Sequence, residues 1–145
     1  MSVFLLRLKA DNGEITKFVK EGLLSEYEVI HIILTPTAGA ADIPSILSGN
    51  APPDHAANLG SQNYANPPVA VVTGGGYDDE AFNSMKDACR NVKAVPWVRP
   101  DKSKLKAMPP LGDEAFGKHT AECVKATLNQ LGVGIEKNED GVYLF

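Results

Sequence analysis

The chain lacks most of the features that assign a protein quickly. It has only two cysteines, Cys89 and Cys123, and no Asn-x-Ser/Thr acceptor site. A disulfide framework and a glycosylated surface are therefore not expected. Both cysteines fall on apolar faces of expected helices and read as small core residues, not as a metal pair. No window approaches the roughly 20 apolar residues needed to span a bilayer. Arg7 and Lys9 cut off the apolar start well short of a signal peptide's apolar stretch. These absences together make a cytoplasmic address the expectation.

Clustered positive charge is missing too. The formal net charge is −4 over 145 residues, which gives no electrostatic reason to expect nucleic acid or an anionic membrane as partner. The nearest basic run is Lys102, Lys104 and Lys106 behind Arg99, and it reads as a solvated, proline-flanked loop. Gly-x-Ser-x-Gly, His-Glu-x-x-His and Cys-x-x-Cys are all absent, so the common hydrolase, zinc and redox signatures are missing. The three histidines do not have metal-ligand spacing, and no metal is expected.

What is present is an alternation. Val3-Phe4-Leu5-Leu6 and Val29 to Leu34 are short continuous apolar runs, as strands covered on both faces require. Between them Ile15, Phe18, Val19 and Leu23 follow the 3–4 spacing of a helix face. The stretch 35–68 holds six of the ten prolines and reads as a long Pro/Gly-rich loop, with one helical turn at Asp42 to Leu47. Loops of that length inside a compact domain are usually functional or disordered.

Regularity resumes with Val69 to Val72, then Thr73-Gly74-Gly75-Gly76-Tyr77, then a helix capped by Asp78 or Asp79 with Phe82, Met85, Ala88 and Cys89 along its buried stripe. Ala94 to Val98 reads as a strand whose Pro96 argues for a sheet edge. Asp101 to Leu111 reads as loop. A helix capped by Asp113 is expected to run to Leu131, with Phe116, Thr120, Cys123, Thr127, Leu128 and Leu131 on one side, stopped by Gly132 and Gly134. Val142 to Phe145 is a last strand, hairpinned onto Gly134 to Glu136 or added to the sheet edge.

Alternating strands and helices predict one α/β domain over residues 1–145. The expected form is a three-layer α/β/α sandwich with a mostly parallel sheet of four to five strands, Rossmann-like or flavodoxin-like. Strand order 2-1-3-4 is favoured over 3-2-1-4. Right-handed crossovers put the strand C-termini on one rim, where ligands collect at the switch point. That rim comprises Asp11 and Asn12, Thr35 and Thr37, the turn Thr73, Gly74, Gly75, Gly76 and Tyr77, and Arg99 to Asp101.

The glycines would let backbone N–H groups approach an anion, although Asp78, Asp79 and Glu80 place negative charge beside them. A tight strand-to-helix turn is the competing reading. By alternation Trp97 and Arg99 share a face, which suits a ligand with an apolar body and a carboxylate or phosphate. The alternative for Arg99 is a structural pair with Asp101 or a helix end. His31, inside a buried strand, reads as a packed core histidine. His119 and Cys123 are neighbours on one helix, in the wrong place for a catalytic dyad. His55 and Tyr64 are the candidate proton-transfer residues if the long stretch folds over the strand ends.

At Val95-Pro96-Trp97-Val98-Arg99-Pro100-Asp101, with Pro109-Pro110-Leu111-Gly112 shortly after, the chain resembles small fungal Rossmann-like proteins described as NAD(P)-binding-like. The resemblance covers mainly residues 69–131, and it implies the fold and an NAD(P) cofactor. The turn after the first strand, Lys9 to Gly13, lacks the dinucleotide glycines, so NAD(P) is disfavoured and no cofactor is expected.

The expected function is binding of a polar or anionic small molecule, with a redox-cofactor-free isomerase, lyase or cyclase as the form an enzyme would take. One alternative is a non-catalytic partner protein that has lost its cofactor and self-associates as a homodimer through Val142 to Phe145 or the Trp97 edge. The other is a nucleotide or dinucleotide binder that uses the glycine turn.

Overall fold

The computed structural model describes residues 2–6, 14–109, 112–134 and 140–145, with backbone alone at 2–6, 14, 105 and 113. Asp11 and Asn12 lie outside the described residues, as do Leu111, Ile135 and Glu136. The elements are β1 (Ser2–Leu6), α1 (Glu14–Leu23), β2 (Glu28–Ile33), α2 (Pro36–Leu47), β3 (Ala70–Val72), α3 (Asp79–Ala88), β4 (Pro96–Arg99), α4 (Lys102–Ala107), α5 (Asp113–Leu131) and β5 (Gly141–Leu144), with a 3-10 turn at His55–Ala57. The expected α/β class is borne out. The strands pair in the order β2-β1-β3-β4-β5, and every pairing is parallel.

Alternation along the strands divides the core between the two faces of the sheet, with its phase shifted inside β2 by a bulge at Ile30. Ala70, Val72, Val98, Val29 and Ile32 pack with Ile15, Val19 and Leu23 of α1 and Ala121, Val124 and Leu128 of α5. Val71, Trp97, Ile30 and Ile33 pack on the other side with Ile43, Ile46 and Leu47 of α2 and Phe82 and Met85 of α3.

α1 and α5 approach unusually closely, and two glycines allow it. A Cβ on Gly22 would meet Ala121 Cβ at 2.6 Å, and one on Gly117 would meet Phe18 Cβ at 2.5 Å. The buried stripe of α5 is consequently Gly117, Thr120, Ala121, Val124 and Leu128, rotated from the expected one. Phe116, Thr127 and Leu131 are only half-buried.

Four local expectations are corrected. Residues 35–68 are not one loop, because Thr35 and Pro36 start a twelve-residue helix. Thr35 Oγ1 accepts from Ala38 N at 3.2 Å, and a proline at the first helical position costs no donor. The contact face of α2 has no ordinary apolar period because Gly39 fills one of its places, tight against Met85.

Pro96 does not mark an edge, since β4 lies between β3 and β5. It is the first residue of its strand, where a missing donor is tolerated. Asp101 caps a short α4 through Ser103 N at 2.9 Å, in what was expected to be loop. Finally, the cap residue of α5 is Gly112 rather than Asp113; the last strand follows the sheet-edge alternative, beside β4. Asp78 caps α3 as expected, its Oδ1 accepting from Ala81 N at 2.8 Å.

The outer edge of β2 is covered by the chain that follows α2. Ser61 N donates to Val29 O and Gln62 N to Ile30 O, both at 3.0 Å. Asn58 continues this false strand with its side chain. Its Oδ1 accepts from Ile32 N at 2.9 Å, and its Nδ2 donates to Ile32 O at 2.7 Å. Gly60 lies so near the Ile30 carbonyl that a Cβ would collide with it.

Candidate functional site

The C-terminal ends of the strands form one rim, and two of the recesses along it take in candidate residues. The first, about 340 Å³, is lined by Leu34, Thr35, Pro36, Gly76, Tyr77, Asp78 and Ala81. Since β1 lies between β2 and β3, this cleft straddles the end of β1, the switch point of the sheet. The second, about 210 Å³, lies at the ends of β4 and β5 and is bordered by Asp79, Arg99, Pro100, Asp101, Lys102 and Leu144.

The sequence-derived candidates separate across this rim. Thr35, Gly76 and Tyr77 border the larger cleft. Thr37 is exposed in the first turn of α2. Tyr77 is buried, and its Oη donates to Ile33 O at 3.2 Å, which ties the glycine turn to the end of β2. Gly75 is exposed and Gly74 buried. Thr73 is turned into the sheet, where its N–H donates to Val98 O at 2.8 Å and its hydroxyl reaches the same oxygen at 3.3 Å.

Trp97 does share a face with Arg99, but that face is core. The indole is 2% exposed and meets the Phe82 ring edge-on at 5.7 Å. Arg99 stacks over the Phe82 ring at 4.3 Å, and its Nη2 pairs with Asp79 Oδ1 at 2.9 Å. A guanidinium already placed on an aromatic ring and a helix-start carboxylate has less to offer an incoming anion.

His55 and Tyr64 are brought together, though not at the rim. Their rings meet edge to face at 5.5 Å, and neither borders the strand-end cleft. His55 Nδ1 donates to Pro52 O at 2.7 Å. Tyr64 Oη lies 2.8 Å from His31 Nδ1, and His31 Nε2 lies 3.2 Å from Asp42 Oδ2. Neutral His31 satisfies both contacts when the phenol donates to Nδ1 and Nε2–H donates to Asp42. Burial pushes the imidazole below its ordinary range, against the opposing hydrogen bond and charge of Asp42, with His55 adding a smaller push downward.

His31 is thus buried, as expected for a core histidine, but inside a polar chain that sequence reasoning missed. Asp42 and Asn58 carry no motif that could have revealed their roles, because they meet His31 only once α2 and the covering segment have folded against β2.

The cysteines also diverge. Cys89 is buried, which pushes its thiol up to about 11. Cys123 is not the core residue expected; it is half-buried, with Sγ 3.6 Å from His119 Nε2. Among the described residues no cluster of His, Cys, Asp and Glu has the makings of a metal site, and no helix is long and apolar enough to cross a membrane.

Fold and rim define an α/β chain with a cleft at its strand ends. Over 131 residues the chain is 29% identical to "Kojic acid related protein 6" of Aspergillus oryzae (strain ATCC 42149 / RIB 40), an alignment covering 88% of this chain and 78% of that protein. The likeness to a fungal protein is borne out, and no Rossmann family is shown by it. No family model matches the chain, and no solved structure matches it.

Proposed function

We propose that the chain is a single three-layer α/β/α domain, flavodoxin-like in strand order, that binds a small polar metabolite in the cleft straddling β1. The lining of that cleft carries the reading. It sets hydrogen-bonding groups at Thr35, Gly76 and Asp78 around an apolar wall of Leu34, Tyr77 and Ala81, the mixture expected of a ligand site. About 340 Å³ is near the lower end for such sites and suits a metabolite better than a dinucleotide. Asp78, Asp79 and Glu80 also crowd the start of α3 with negative charge, which disfavours a pyrophosphate at the glycine turn.

The same lining supports binding more than catalysis. Among the described residues Asp78 is the one carboxylate in that lining, and it is occupied in capping α3. The acid–base candidates His55 and Tyr64 do not border the cleft. The fungal relative's name mentions kojic acid, which makes that compound a rational probe.

The test is a thermal-shift panel of kojic acid and small organic acids against NAD(H), NADP(H), FMN, FAD and coenzyme A, run in parallel on Ala81→Phe. A ligand at about 100 times its Kd adds about 2.7 kcal/mol. A shift with a small molecule that vanishes in Ala81→Phe supports the reading. A shift with a dinucleotide alone, or one indifferent to Ala81→Phe, overturns it.

A further inference from the structure

One unassigned surface is the far edge of the sheet, where among the described residues β5 has β4 as its single strand neighbour. Phe145 N donates to Arg99 O, and Phe145 O accepts from Asp101 N. Both backbone groups of Phe145 therefore face β4. Alternation along a parallel ladder then turns the N–H and C=O of Val142 and Leu144 outward. The same two residues have exposed side chains, 45% for Val142 and 57% for Leu144. They lie in register with Trp97 and Arg99, on the face whose helix, α3, covers those two residues but not the strand beyond. A bare strand edge with apolar side chains is a template for another strand.

Charge says which strand fits. Asp140, 58% exposed and paired with Lys86 Nζ at 2.8 Å, stands immediately before β5. At the opposite end, Lys102 borders the same recess as Leu144, with exposed Lys104 and Lys106 following on α4. An edge with a half-exposed carboxylate at its start and lysines at its finish complements itself when reversed, the Asp140 carboxylate then being shared between Lys86 and the second copy. The geometry points to a homodimer in which β5 pairs antiparallel with β5 of a second copy about a two-fold axis at Tyr143.

In that register Val142 faces Leu144 of the partner subunit, and Leu144 faces Val142 of the partner subunit. The four outward backbone groups of each strand find partners, and four exposed apolar side chains meet on one face. Asp140 comes against the partner's Lys102, at the mouth of the partner's smaller recess. The interface is isologous, and so it closes at two copies. It uses no residue of the strand-end cleft and stands apart from the ligand proposed there.

Sedimentation equilibrium of the full chain across a concentration series tests this. A reversible dimer is expected. Leu144→Lys, at an exposed position, should weaken it roughly tenfold or more. Asp140→Lys and Lys102→Glu should each weaken it, and combining them should restore it, which only the antiparallel register explains. A chain that stays monomeric into the millimolar range overturns the proposal. So does a dimer indifferent to Leu144→Lys, or a double charge reversal that adds to the two single losses instead of repairing them.

Discussion

The two edges of the sheet solve the same problem in opposite ways. At β2 the exposed backbone is answered within the chain: Ser61, Gln62 and the side chain of Asn58 imitate a sixth strand. Around that imitation sits a polar chain from Tyr64 through His31 to Asp42. At β5 nothing comparable is found among the described residues, and the side chains on the open strand are apolar. A covered edge is expensive to disturb because its groups are buried with their partners, whereas an open edge is already solvated.

That contrast can be broken most forcefully at Gly60. Gly60→Val drives a side chain into the Ile30 carbonyl and should cost about 3 kcal/mol in urea unfolding, the upper range for overpacking. Asn58→Ala should come next, at about 2 kcal/mol, because it strands Ile32 N and O without partners. Hydrogen exchange at the Ile32 amide should accelerate in the same variant. Little change at Ile32 would show that the covering segment is held by something other than Asn58.

A smaller effect is expected from pH. The His31 imidazole lies below its ordinary value in the folded chain, so the unfolded chain binds the extra proton first. Stability should be level above neutrality and should decline as pH falls through the unfolded value, about 6.5. His31→Gln should flatten the slope of unfolding free energy between about pH 7 and pH 5. The smallest effect belongs to the other edge. Leu144→Lys should change monomer stability by less than about 0.5 kcal/mol, as exposed substitutions generally do. A large loss there would mean that β5 is not the open edge it has been described as.

Legibility in the sequence followed the apolar runs. Val29 to Ile33, Val71 and Val72 lie in strands buried on both faces, and their hydrophobicity announces it. Ile15, Val19 and Leu23 announce α1 by spacing alone. α2 stayed hidden because Pro36, Gly39 and Pro44 look like loop residues, although the first is a helix start and the second a packing contact. Trp97 and Arg99 were placed on one face correctly, but only Phe82, from another helix, reveals that the indole side of that face is interior.

The candidate site was legible as a location, the strand-end rim with its glycine turn. It was not legible as a membership list. Whether Thr73 or Thr35 borders the cleft depends on a hydroxyl choosing between Val98 O and the helix start, and no local pattern encodes that choice.

The close crossing of α1 and α5 joins the two ends of the chain. Gly22 touches Ala121, and Tyr27 donates a 2.6 Å hydrogen bond to Asn129, 102 residues away. On the ribosome, the apolar face of the opening βαβ unit emerges long before the helix that shields it. The apolar face of α1 must therefore wait, uncovered by α5, until residue 131 has cleared the exit tunnel. During synthesis that interval is the time at which chaperones would be most useful to it.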